Sequence, residues 1–147
     1  MSRKVIKNLT LTLSVGLFII SLTQNPYCTS QGCGETWSGL AILISGIFGF
    51  FLCLANTTWL ANPLIFFAWF YAKKDPKTSL ILSGIAGLLA ISFLFFDNII
   101  TDEAGNISKI VAYKSGYWLW VSSMITMLLG NMVLYFRQFT PSPTGHN

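Results

Sequence analysis

Two cysteines, Cys28 and Cys33, are the residues whose type and spacing most directly suggest chemistry. Four residues separate them, none of which is charged. In an oxidising compartment such a pair forms a disulfide. Membrane-embedded enzymes that generate disulfides use the shorter C-x-x-C spacing, and this chain has only one further cysteine, Cys53. We predict a structural disulfide between Cys28 and Cys33, and we retain a free or metal-linked pair and a redox centre as alternatives.

The rest of the sequence shows no catalytic or metal-binding pattern. The single histidine, His146, lies in a polar tail, and two cysteines supply fewer ligands than a structural zinc site requires. No ionisable residue falls in the middle of an apolar run, which argues against a proton-coupled pump. We therefore expect no catalytic residue, no metal and no cofactor. Whether the chain is an enzyme stays open, and the pattern favours a non-enzyme.

Polar residues interrupt the long apolar stretch 37–72 at Asn56, Thr57, Asn62 and Pro63. Proline lacks an N–H and obstructs the carbonyl four residues earlier, so a continuous helix would kink there. A broken helix of this kind can form a transport site, or Asn62 can simply cap a helix that begins at Pro63. We predict a helix start at Asn62 and Pro63. We also expect a hydrogen bond from Asn56 or Thr57 to a neighbouring helix.

The composition is that of a membrane protein. Of the 147 residues, 53% are hydrophobic and only 10% are charged, whereas soluble domains carry about 25% charged residues. A bilayer span needs about 20 apolar residues, and three runs have that length: 8–24, 79–97 and 117–136. We predict an all-α fold, a polytopic transmembrane bundle forming one domain over residues 1–147.

The crossing number depends on residues 37–72, which are too many for one straight span and few for two spans and a turn. Lys and Arg concentrate in cytoplasmic loops. If 37–72 cross once, seven cations share the cytoplasmic side and two lie outside; if they cross twice, the division is five against four. The charge rule predicts four crossings, with 37–72 as one broken span, and hydropathy alone favours the alternative of five.

The four-crossing model also predicts what lies on each side of the membrane. Both termini are cytoplasmic in a bacterial inner membrane, and loops 25–36 and 97–116 face outward. Loop 97–116 has β-branched residues on both sides of Gly105, which fits a short β-hairpin. The tail 138–147 is polar with two prolines, so we expect it to be disordered.

Small residues recur every four positions in two of the apolar runs, and so share one helix face in each. They are Ser79, Ser83 and Gly87 in the first run and Ser122, Thr126 and Gly130 in the second. Such faces allow close helix packing in lipid. We predict packing within a compact bundle, and the alternatives are a lined pore or a dimer face.

Three short motifs, CTSQGC at 28–33, WLANP at 59–63 and GYWLW at 116–120, together resemble small bacterial inner-membrane proteins without an established activity. The resemblance covers most of the chain and implies no site residues.

We expect a non-catalytic accessory or interaction subunit that contacts the lipid bilayer and either a membrane-protein partner or a second copy. The alternatives are a small-solute or ion passage and a membrane thiol–disulfide oxidoreductase. Binding to nucleic acid is not expected, because the chain has no basic patch with interleaved aromatic residues.

Overall fold

The computed structural model of the chain describes residues 2–33, 38–49, 51–100 and 105–137. The described part is mostly helical and carries one small sheet. Its α-helices are α1 (Arg3–Leu22), α2 (Gly39–Gly49), α3 (Leu54–Thr57), α4 (Ala61–Tyr71), α5 (Pro76–Ser92) and α6 (Ser115–Phe136). Two 3-10 turns, Thr58–Leu60 and Phe93–Phe95, follow α3 and α5, and the strands are β1 (Tyr27–Thr29), β2 (Asn98–Ile100) and β3 (Ile107–Tyr113). The predicted tail 138–147 lies outside the described residues.

Three helices are long and apolar enough to cross a membrane: α1, α5 with its 3-10 turn, and α6. They correspond to the predicted spans 8–24, 79–97 and 117–136, but each begins earlier in the chain. Polar caps explain two of the earlier starts. The Ser2 hydroxyl accepts a hydrogen bond from the Val5 N–H, and the Asp75 carboxylate accepts one from the Lys77 N–H. Each cap satisfies a backbone donor that the first helical turn leaves unpaired.

The α-helix α4 begins at Ala61, one residue before the predicted start at Asn62, but the helical backbone is not broken there. The chain is helical without interruption from Leu54 to Tyr71, through α3, a 3-10 turn and α4, and we call this run the α3–α4 segment. The break comes earlier, between Gly49 and Leu54, where α2 and the α3–α4 segment meet at an angle of 111°. Together these two parts are apolar and long enough to count as a fourth candidate span.

Pro63 is accommodated inside the helix because its neighbour supplies the missing donor. The carbonyl of Trp59, four residues before Pro63, accepts a hydrogen bond of 2.9 Å from the Asn62 amide nitrogen. The Ala61 backbone N–H also donates to this carbonyl, and it donates to the Thr58 carbonyl in the tighter 3-10 pattern. Asn62 therefore satisfies a carbonyl inside the helical run and does not cap its start.

The sheet extends beyond the predicted hairpin. Strands β2 and β3 pair antiparallel within the predicted loop 97–116, with Asn98 opposite Lys109. Strand β1 adds to the other edge of β3, with Cys28 opposite Ala112, so that the order is β1-β3-β2. The prediction of an all-α bundle with a hairpin in loop 97–116 therefore omits only β1, because β1 has only three residues and shows no readable alternation.

The two ends of the bundle differ in chemistry. The sheet end comprises the sheet, the end of α1 and the start of α6. The basic end comprises the start of α1, the turn between α4 and α5, and the end of α6. There the Lys7 ammonium donates to the Lys73 carbonyl at 2.9 Å, and the Arg3 guanidinium donates to the Leu134 carbonyl at 3.4 Å.

The chain from α2 to α4 passes from one end to the other. At the sheet end the Gly39 N–H donates to the Gln24 carbonyl, just beyond α1. At the basic end α4 finishes two residues before Lys73. Helix α2 contributes no buried residue to the protein, whereas α4, α5 and α6 each contribute several.

Candidate functional site

The predicted disulfide is present at the sheet end. Cys28 and Cys33 are joined with their Cα atoms 4.5 Å apart, within the range that a disulfide spans. The loop between them turns at Gly32, where φ is +135°, a conformation that favours glycine. Thr29 and Gly32 exchange backbone hydrogen bonds across this turn. The bond therefore closes a tight loop at the end of β1.

The two sulfur atoms differ in environment. Cys28 lies in β1 with only 1% of its surface exposed, whereas Cys33 is exposed. The third cysteine, Cys53, is free and half-buried. Burial, with a smaller contribution from Cys53, raises the pKa of the neighbouring Tyr27 phenol to about 12. The Tyr27 ring also packs against Phe93, with ring centroids 5.6 Å apart.

An asparagine and two tryptophans form a hydrogen-bonded junction between helices. While the Asn62 amide nitrogen donates to Trp59, the Asn62 oxygen accepts from the Trp120 indole N–H at 2.8 Å. The Trp59 indole N–H in turn donates to the Leu43 carbonyl of α2 at 2.9 Å. Asn62 thus joins the α3–α4 segment to α6, and Trp59 joins it to α2.

Asn56 holds the bend after α2. Its amide nitrogen donates to the Gly49 carbonyl at 3.1 Å, which places the predicted contact with a neighbouring helix on Asn56. Thr57 makes a local bond instead, to the Leu54 carbonyl. The Asn56 Oδ1 atom is buried and has no hydrogen-bond partner among the described residues. Of the residues of the predicted break, Asn56 thus belongs to the bend and Asn62 to the junction, so they do not form one site.

A cavity of about 660 Å³ lies between α2, the bundle and the sheet. Small-molecule sites typically have volumes of about 300–1,000 Å³. Its walls include Leu43 and Phe48 of α2, Trp59 of the α3–α4 segment, and Trp120 of α6. None of its described lining residues is charged. The cavity forms because α2 meets the α3–α4 segment at a wide angle and none of its side chains is fully buried in the bundle.

The small residues of α5 lie between helices as their spacing suggested. Ser79 and Ser83 are buried, and the Asn131 amide of α6 donates to their hydroxyl oxygens at 2.9 and 3.3 Å. The Ser79 hydroxyl also donates to the Ala68 carbonyl of α4. Gly87 is buried too, yet a Cβ built there would meet nothing within 4 Å. The helices therefore approach closely at the two serines and not at Gly87.

The predicted face of α6 is rotated from the observed one. Ser122 is exposed, whereas Ser123 is fully buried against α1. Thr126 is partly buried. A Cβ built on Gly130 would overlap the side chain of Thr10, so that this position requires glycine for close packing. A spacing of four residues drifts around a helix of 3.6 residues per turn, and only the partner helix fixes which face is buried.

Ser14 lies at a polar contact that the sequence did not indicate. Its hydroxyl donates to the Ser123 carbonyl at 2.9 Å, and the Ser123 hydroxyl donates back to the Ser14 carbonyl at 2.8 Å. The Trp69 indole N–H of α4 donates to the Ser14 hydroxyl at 2.9 Å. Because these residues belong to three helices, no spacing within one helix could have connected them.

A second cavity, of about 430 Å³, lies at the basic end. Four cations line it, Arg3, Lys4, Lys7 and Lys73, together with Pro76 and Leu134. The acidic residue of the same turn, Asp75, does not line it. The Asp75 carboxylate accepts hydrogen bonds from the Thr78 hydroxyl and the Lys77 N–H, and the bond from Thr78 is the main reason that its pKa is lowered.

The described residues contain two cavities, one uncharged and one lined by cations. Across ranges 2–33, 38–49, 51–100 and 105–137, no three His, Cys, Asp or Glu side chains gather closely enough to hold a metal ion. No family model, curated protein or solved structure matches the chain. What it does has to be argued from its own geometry.

Proposed function

We propose that the chain is a multi-pass protein of a bacterial inner membrane with four crossings and both termini cytoplasmic. The sheet supports this topology. Strands β1 and β3 are hydrogen-bonded to each other, so the segments that contain them lie at the same end of the bundle. Five crossings would put these two segments on opposite sides of the bilayer. In the four-crossing topology α1, the α3–α4 segment, α5 and α6 span, and α2 stays near the outer surface.

The charges support the same orientation. Arg3, Lys7 and Lys73 lie at the basic end, where the Lys7 side chain donates to the Lys73 carbonyl and all three line the same cavity. Lys109 lies in β3, at the opposite end. With the basic end in the cytoplasm, the positive-inside rule is satisfied. The disulfide then faces the oxidising side of the membrane, where such bonds persist.

Within this membrane domain, residues 1–147, we propose a non-catalytic accessory or interaction role. The observation that carries the proposal is the position of α2. It is apolar, none of its residues is more than partly buried, and it flanks an uncharged cavity. Phe48 of α2 lines that cavity with 76% of its surface exposed. We propose that a transmembrane helix of another protein, or of a second copy, packs there.

Two alternatives have less support from the geometry. A solute passage through the bundle would leave polar side chains facing one another across space. Here Ser14, Ser123 and Asn131 are instead buried and hydrogen-bonded to neighbouring helices. A thiol–disulfide oxidoreductase needs a cysteine that an incoming thiolate can attack. The exposed Cys33 meets this need, but Cys28 is buried and the pair lacks the C-x-x-C spacing of membrane-embedded enzymes that generate disulfides.

Site-specific photo-crosslinking in living cells tests the interaction role. A benzophenone amino acid placed at Phe48 should give a discrete protein adduct, whose mass distinguishes another protein from a second copy. The matched control is Leu88 of α5, which is 70% exposed and does not line the cavity. Substituting Ser45, which lines the cavity, with Phe should abolish the adduct, while Ile44→Phe on the same helix should not. Adducts of equal yield at Phe48 and Leu88 would contradict the proposal.

A further inference from the structure

The cavity at the basic end has the charge of an anion site. Its four cations come from two segments, the start of α1 and the turn between α4 and α5. No acidic residue is among those that line it. Such a concentration of like charge is unfavourable by itself, and an anion in the cavity relieves it. We infer that this cavity binds a phosphate group.

Two of the four cations are held in place by the protein. The Lys7 ammonium donates to the Lys73 carbonyl, which joins α1 to the turn, and the Arg3 guanidinium donates to the Leu134 carbonyl of α6. An ammonium has three donors and a guanidinium has five, so each retains N–H groups for a ligand. These bonds therefore hold the Arg3 and Lys7 side chains in the lining of the cavity before an anion binds.

The start of α5 adds to the positive potential. Pro76 lines the cavity and is the first residue of this helix. The N-terminus of a helix carries a partial positive charge that favours anions. The nearby acidic residue, Asp75, opposes this effect in part. Because its carboxylate already accepts from Thr78 and Lys77, it is not directed at the lining cations.

The phosphate can come from an anionic phospholipid or from free inorganic phosphate, and the same cations would bind either. The lipid source rests on the proposed membrane placement, in which the basic end meets the cytoplasmic headgroups. Leu9 and Leu13 of α1, both more than half exposed, would then lie beside the acyl chains of a bound lipid. Each Lys or Arg near an anionic surface contributes about fivefold in affinity.

The test is lipid binding by the full-length protein in detergent, followed by native mass spectrometry. The probes are phosphatidylglycerol, phosphatidylcholine and inorganic phosphate. The wild-type protein should retain phosphatidylglycerol in preference to phosphatidylcholine. Inorganic phosphate that displaces the lipid and itself raises the unfolding temperature identifies the free anion as a ligand. Stabilisation by the lipid alone identifies the headgroup, and either result supports a phosphate site.

Matched charge variants separate the cavity from diffuse attraction. Lys4→Gln with Lys73→Gln removes two lining charges that make no side-chain hydrogen bond in the described structure. Lys74→Gln with Lys77→Gln removes two charges from the same end that do not line the cavity. The first pair should weaken phosphatidylglycerol binding by about 25-fold, and the second by less than about threefold. Equal losses for the two pairs would overturn the site, and so would a wild-type protein that shows neither a lipid preference nor stabilisation by inorganic phosphate.

Discussion

Substituting Gly130 with alanine tests the packing of α1 against α6. A Cβ at this position would overlap the Thr10 side chain, so the helices must separate or Thr10 must move. Overpacking of this kind costs about 1–3 kcal/mol. Alanine in place of glycine recovers up to about 1 kcal/mol of helix propensity. We expect a net loss of up to about 2 kcal/mol of unfolding free energy.

A double-mutant cycle with Thr10 isolates the steric part of this loss. In a Thr10→Ala background the two nearest Thr10 atoms are removed but its Cβ stays 2.7 Å away, so Gly130→Ala should cost less than in the wild type. The matched control is Gly87→Ala, because a Cβ there meets nothing within 4 Å. It should stabilise the protein by up to about 1 kcal/mol.

Thermal unfolding in detergent measures these differences, since 1 kcal/mol shifts the midpoint by about 2–4 °C in a chain near this size. Gly130→Ala should lower the midpoint and Gly87→Ala should raise or preserve it. Equal shifts for the two variants, with no coupling between Thr10 and Gly130, would refute the observed α1–α6 packing.

The remaining predictions concern the disulfide, a buried asparagine and a tyrosine. Thiol labelling should leave Cys28 and Cys33 unmodified until reductant is added, and their replacement by serine should cost about 2 kcal/mol of stability; labelling of both before reduction would contradict the bond. Asn131→Leu should lower stability by about 0.6–1.7 kcal/mol, because the bonds to Ser79 and Ser83 are lost, and an unchanged unfolding midpoint would contradict this. The pKa of Tyr27 rises from 10.0 to about 12 on folding, so its stabilising contribution is complete below pH 10 and is lost between pH 10 and 12. Unfolding free energy measured from pH 9 to about 12 should fall more steeply in the wild type than in Tyr27→Phe. Identical pH profiles for the two proteins would contradict this prediction.

The sequence was sufficient to locate the apolar helices, because length and hydropathy determine them. It was not sufficient to place the break. Pro63 predicted one, but the Asn62 amide supplies the donor that proline lacks. The observed break follows Gly49 in an apolar stretch, where no polar residue marked it. Hydrogen bonds from Asn56 and Trp59 back to α2 hold the bend, and these depend on the fold.

The candidate sites were predictable only where their residues are close in sequence. Cys28 and Cys33 lie in one short loop, and they are bonded. The contact of Ser14 with Ser123 joins positions 109 residues apart, so only the folded chain brings them together. Gly116 was likewise not identified, although a Cβ there would lie 2.8 Å from the carbonyl oxygens of Gln24 and Asn25.

Cysteine accessibility tests the four-crossing topology most directly. In a Cys53→Ser background the disulfide protects the other two cysteines, so a single new cysteine can be introduced at Lys74 or at Lys109. A membrane-impermeant maleimide added to intact spheroplasts should label the cysteine at 109, which lies in β3. The cysteine at 74, in the turn between α4 and α5, should be labelled only after the membrane is opened. Labelling at 74 from outside, with 109 protected, would show five crossings and contradict this account.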